Sequence, residues 1–114
     1  WLAKSSDLKT WTNVQDEPVI KCGPEPYDNT MIAVDQVIKY KGRYYAYYHA
    51  KKPNTTKNHW TMNVAMSEDL IHWTKYPGNP IIRDNFSSGI LVDDGTQLRL
   101  YCMHEAVALF YPEK

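Results

Sequence analysis

Two stretches of this chain read almost alike, and no other feature limits its folding as much. Residues 2–12 are LAKSSDLKTWT and residues 64–74 are VAMSEDLIHWT. Ala3, Ser5, Asp7, Leu8, Trp11 and Thr12 recur 62 positions later as Ala65, Ser67, Asp69, Leu70, Trp73 and Thr74. The spacing holds on to Pro18-Val19-Ile20, which recurs as Pro80-Ile81-Ile82. A repeat of this period belongs to an architecture built from similar stacked units. Each copy reads as a strand ending in Ala-x-Ser, then a turn begun by Ser and Asp. Both side chains can bond nearby backbone N–H groups. The Leu is expected to pack inward and the Trp to open the next strand. Ser67–Ile71 is the best helical candidate, good for one turn at most.

A weaker repeat lies between these. Val37-Ile38-Lys39-Tyr40-Lys41-Gly42 leads into Arg43-Tyr44-Tyr45-Ala46-Tyr47-Tyr48, and Ile90-Leu91-Val92-Asp93-Asp94-Gly95 leads into Leu98-Arg99-Leu100-Tyr101. Apolar run, polar-Gly turn and aromatic run together mark a β-hairpin. The 9 Tyr and 4 Trp suit a pleated, half-buried surface. The expected class is all-β. The order is half a unit (1–20), a full unit (33–82) and half a unit (88–112), with full-unit strands near 34–40, 43–49, 60–66 and 72–75. Four antiparallel strands have the shape of a β-propeller blade. One blade cannot bury both of its faces, so neighbours are needed. About two blades are present, which reads as part of a larger ring or as one of several chains that complete one.

Charge and composition remove other classes. The 13 basic and 13 acidic side chains cancel, so no nucleic acid and no anionic membrane is expected as partner. No apolar run approaches the ~20 residues of a spanning helix. No metal-ligand spacing and no phosphate loop occurs, so no cofactor and no metal is expected. Cys22 and Cys102 allow one bridge or two reduced, buried thiols.

The motifs resemble the five-bladed propeller glycoside hydrolases, the broad group of β-fructosidases, arabinanases, xylosidases and neoagarobiose hydrolases. Ser-x-Asp-Leu-x-x-Trp at 5–11 and 67–73 looks like their blade motif. Residues 35–48 are similar to their inner hairpin, Asp-Pro-x-Val-Ile-x-x-x-Gly-x-Tyr-Tyr-x-Tyr-Tyr, with Gln36 in place of the Pro. Gly78-Asn79-Pro80-Ile81-Ile82 resembles their outer-strand ending. The resemblance implies hydrolysis of a glycosidic bond in an oligo- or polysaccharide, and a secreted or periplasmic setting. The alternative is a non-catalytic, lectin-like carbohydrate-binding propeller.

In that group the inner strands begin at the sugar pocket, and Asp35 sits at such a start. Anchoring the weaker repeat on its glycines makes Ser88 the counterpart of Asp35. An acid that does not recur is expected to serve the site and not the scaffold. His49 ends the strand paired with that of Asp35, and His104 and Glu105 end the corresponding strand of the next unit. An antiparallel hairpin places all four at one rim. Cleavage needs one group to protonate the leaving oxygen and another to activate water or attack. Asp35 is the expected site carboxylate and His104 or Glu105 the candidate acid, because Ser87-Ser88 replaces the usual Glu. His49 is expected as a hydrogen-bonding neighbour of Asp35. Asp28 is a sugar ligand or a turn residue, Glu25 a solvated turn residue, and Trp60 a sugar-stacking or a core ring. Trp11 and Trp73 read as scaffold, His72 as exposed scaffold, and His59 as uninformative.

Overall fold

A computed structural model describes residues 1–51, 60–83, 85–104 and 106–112 of the chain. These residues form nine strands: β1 (Ala3–Lys4), β2 (Thr12–Asn13), β3 (Met31–Tyr40), β4 (Arg43–Lys51), β5 (Trp60–Ser67), β6 (Trp73–Lys75), β7 (Ser87–Asp93), β8 (Leu98–Met103) and β9 (Val107–Phe110). They pair as three antiparallel sheets in sequence order: β1-β2, β3-β4-β5-β6 and β7-β8-β9. The all-β reading holds, and the four-stranded sheet runs from Met31 to Lys75, beginning two residues before the expected span 33–82. The last span carries three strands, one beyond a hairpin.

The repeated turn is built as its side chains dictate. Ser67 Oγ accepts from the N–H of Asp69 (3.2 Å) and of Leu70 (2.9 Å), and Asp69 Oδ1 accepts from Ile71 (2.9 Å) and His72 (2.7 Å). Ser5 and Asp7 repeat all four bonds at matching lengths. Leu70 and Leu8 both sit in the left-handed region, at φ 68° and 63°. That conformation breaks helical continuation, so no helical turn forms at 67–71. The bonds hold both carboxyls well below the usual range. For Asp69 the His72 side chain contributes most, and for Asp7 the Thr10 N–H. The inward leucine is realised in part. Leu70 is half-buried, whereas Leu8 is 79% exposed. The cause is local: β1 and β2 touch each other and no other strand.

The pairing register corrects the alignment of the two hairpins. Val37 faces Ala46 and Leu91 faces Leu100, a constant shift of 54 positions along both strands. Each first strand breaks its pairing at the same place, at Asp35 in β3 and across Ser88-Gly89 in β7. Gly89, and not Ser88, is therefore the counterpart of Asp35. The glycine anchor misled because the two turns place glycine differently. Lys41-Gly42 (φ 47° and 82°) closes the first, whereas in the second the left-handed first position is Gly95 (φ 85°).

Two apolar clusters lie on opposite faces of the four-stranded sheet. On one face Ala46, Tyr48, Ala50 and Ala65 gather with Ile20, and Trp73 packs against them. On the other, Met62 joins Leu100 and Cys102 of the third sheet, with Tyr47, Leu91 and Phe110 beside them. Both thiols are free, Cys102 buried but Cys22 exposed, so neither a bridge nor a buried pair forms. Past β6 the chain returns along β5: the Asn79 side-chain amide donates to the Val64 carbonyl and accepts from its N–H, both at 3.0 Å.

Candidate functional site

A bulge takes one residue out of the pleat and re-aims its side chain. In β3 that residue is Asp35, and it reaches two elements at once. Its Oδ1 lies 2.7 Å from His49 Nδ1 on β4, and its Oδ2 accepts the Gly89 N–H of β7 at 3.2 Å. An ionised carboxylate only accepts, so His49 Nδ1 carries the proton and Nε2 is left for another partner. The Asp35 side chain is 10% exposed and that of His49 19%. Trp60 sets its ring edgewise to His49, with centroids 5.2 Å apart, and the Lys51 ammonium lies over the Trp60 ring.

Beside this pair the sheets are joined by Gln36. Its Oε1 accepts from Leu91 N–H (2.5 Å) and its Nε2 donates to the Leu91 carbonyl (3.1 Å). A proline at this position has no side chain to make either bond. Sequence reasoning noted Gln36 only as a departure from the family pattern. It also passed over Gly89, whose missing Cβ leaves room for Met62: a built Cβ would lie 2.2 Å from the Met62 methyl.

The structure brings Asp35, His49 and Trp60 together. It places Asp28 elsewhere. Asp28 is fully buried behind Tyr48, on the face of β4 opposite to His49. Its Oδ2 accepts from the Tyr48 hydroxyl (3.2 Å) and from Lys75 Nζ (2.5 Å), and Lys75 also donates to the Gly23 carbonyl. Burial, then the Asp28 charge, pushes the Tyr48 phenol far above its ordinary pKa. These bonds tie the loop before β3 to β4 and β6. Glu25 is exposed in that loop.

His104 is exposed just past β8. In register it matches Ala50, while Met103 matches His49. No hydrogen bond or ion pair joins it to Asp35 or His49. The links Asp35–Gly89 and Gln36–Leu91 set β3 and β7 side by side in the same direction, so the ends of β4 and β8 lie at the same end of their sheets. Glu105 and His59 lie outside the described residues. His72 is exposed and bonded to Asp69, Trp73 is half-buried and Trp11 exposed.

Cys102 lies in the same seam. Burial first, and the Asp35 charge second, push its thiol up to about 11. At pH 8 a thiol-reactive disulfide reagent is therefore expected to modify one thiol per folded chain rapidly, Cys22, and the second only on unfolding. Rapid release of two equivalents from the native protein would contradict this placement.

No protein-family model matches this chain, and no curated protein does either.

Proposed function

We propose that the chain supplies successive blades of a glycoside hydrolase-like β-propeller, with Asp35 as a carboxylate of the sugar site. The observation that carries this reading is the bulge pair. At one position of two equivalent strands, the first sheet has an acid held by a histidine and the second has glycine. An architectural acid would recur, as Asp7 and Asp69 do. The resemblance puts the pocket at the start of the inner strand, whereas β3 begins at Met31 and Asp35 is its fifth residue, displaced from the ladder by the bulge. On this reading Asp35 orients water or tunes the acid, His49 fixes its direction, and Trp60 steadies His49. The proton for the leaving oxygen comes from His104 or Glu105, or from a carboxylate on another blade.

One observation favours the second reading, a lectin-like propeller that binds sugar without cleaving it. Both Asp35 oxygens are already engaged, by His49 and by the Gly89 N–H. A carboxylate so satisfied can hold a shape without reacting.

Asp35→Asn separates the two. It keeps the size and one acceptor oxygen but removes the charge. Reducing-sugar release from a panel of oligosaccharides is expected to fall by about 10²–10⁴-fold, a range usual for a lost acid–base group, while binding by calorimetry persists. Binding without hydrolysis in both forms would support the lectin-like reading. Hydrolysis unchanged in Asp35→Asn would overturn the assignment of Asp35.

A further inference from the structure

Between the loop before β3 and the chain return after β6 lies an open cleft of about 600 Å³. Residues 24–27 line one wall, and residues 75–77 and 79–80 with Arg83 line the other. Ligand sites of small molecules span ~300–1,000 Å³, so the size is ordinary for one. The cleft is not the Asp35 site, and neither Asp35, His49 nor Trp60 lines it. Its Asn79 amide donates to the Tyr48 hydroxyl at 3.4 Å, whereas His49 projects from the opposite face of β4.

Both walls are set before any ligand arrives. Lys75 Nζ, at the end of β6, donates across to the Gly23 carbonyl and to Asp28. The Tyr27 phenol sits beside Asn79 and Tyr48. The loop closes on itself, the Gly23 N–H donating to the Asp28 carbonyl (3.0 Å) and the Asp28 N–H to that of Glu25 (3.2 Å). On the other wall the Tyr76 ring folds over Gly78, where a Cβ would stand 2.5 Å from it. A site ordered in advance loses little freedom on binding.

The chemistry of the lining selects the ligand. Two tyrosine rings, Tyr27 and Tyr76, and four prolines give it flat apolar faces, and Tyr76 is 45% exposed. Glu25 on one wall and Arg83 on the other are exposed. Among the described residues, neither side chain has a hydrogen bond or an ion pair. A carboxylate only accepts and a guanidinium only donates, so a ligand that satisfies both carries donors and acceptors beside an apolar face. Lys75 is neutralised by Asp28, and Glu25 and Arg83 cancel. A neutral ligand therefore fits best, since an anion meets Glu25 and a cation meets Arg83. A sugar ring answers each demand, with hydroxyls that donate and accept and a C–H face that lies on an aromatic ring. A proline-rich peptide also seeks tyrosine-lined grooves, but its prolines bring carbonyls for Arg83 and no N–H for Glu25.

We propose that this cleft binds a neutral oligosaccharide, with Tyr76 stacked on a sugar ring and Glu25 and Arg83 holding its hydroxyls. It is a carbohydrate site separate from Asp35, on the other face of the sheet. The inference does not depend on hydrolysis, and it holds equally for a chain that binds sugar without cleaving it.

Titration of Asp35→Asn followed by nuclear magnetic resonance tests it, since that variant leaves the added sugars intact. The probes are neutral arabino-, xylo- and agaro-oligosaccharides and, as a contrast, a polyproline peptide. At least one sugar is expected to shift the amide signals of Tyr27, Tyr76 and Gly78. Tyr76→Ala and Arg83→Ala, each added to Asp35→Asn, are expected to weaken that sugar about tenfold or more, with the strand signal in circular dichroism unchanged. Arg83→Ala, at an exposed position, decides alone if Tyr76→Ala loses that signal. Shifts confined to the surroundings of His49 and Trp60 would overturn the proposal and leave the Asp35 reading standing. Shifts at the cleft, with no hydrolysis by the unaltered chain, would support the proposal while the hydrolytic reading fails. Unchanged affinity in both variants, binding of the peptide alone, or no shift with any probe would each overturn it.

Discussion

Replacing Asp28 with alanine is expected to cost about 3–5 kcal/mol, the range for breaking a buried ion pair from one side. Asp28 has no exposed surface, and it is the shared acceptor for Lys75 and the Tyr48 hydroxyl. Without it the Lys75 ammonium, whose side chain is 20% exposed, keeps only the Gly23 carbonyl. The Tyr48 hydroxyl loses its acceptor inside the cluster formed with Ala46 and Ala65. Total stability of a domain this size is about 5–15 kcal/mol, so the change removes a large share. Thermal unfolding should show the midpoint falling by more than about 15 °C. Asp28→Asn keeps an acceptor oxygen and should cost less. A fall of only a few degrees for Asp28→Ala would mean that Lys75 escapes to solvent and the loop is tied down by other contacts.

The second large effect is at the seam between the two larger sheets. Met62→Ala removes a fully buried side chain and should cost about 2–5 kcal/mol. Gly89→Ala drives a methyl toward the methyl of the buried Met62 and should cost about 1–3 kcal/mol. The two should not add. With Met62 truncated, the methyl introduced at position 89 meets a cavity instead of an atom, so the penalty of Gly89→Ala should vanish in that background. Urea denaturation of the four proteins measures the coupling. Additivity within about 0.5 kcal/mol would show that Gly89 serves its backbone and not the packing of Met62.

The repeat made the fold class and four of the strands legible, because each motif carries its own physics. Ser67 and Asp69 dictate a turn wherever they stand in that order, and the Tyr-rich runs can only be half-buried strands. Register was less legible. Gly42 and Gly95 look equivalent in sequence, yet the two turns use glycine at different positions, and the slip of one residue made Ser88 the mate of Asp35. The meeting of Asp35 and His49 could be read from hairpin geometry alone. The parts that sequence hid depend on the third dimension. Asp28 and Asp35 are seven residues apart and both acidic, but one is folded under Tyr48 and the other raised on a bulge. Nothing local distinguishes them. Gln36 and Gly89 meet the partner sheet, and no single-strand pattern reports such a contact.

The amide clamp of Asn79 on Val64 also bears on how this protein ages. An asparagine side chain decays to aspartate chiefly when the next residue's backbone nitrogen attacks it, and here the next residue is Pro80, which has no N–H. Loss of that amide would turn the donor facing the Val64 carbonyl into a negative oxygen and open the outer edge of β5. The proline that follows the asparagine therefore protects chemically the bond that the asparagine makes structurally. Long storage should spare this position while other asparagines hydrolyse.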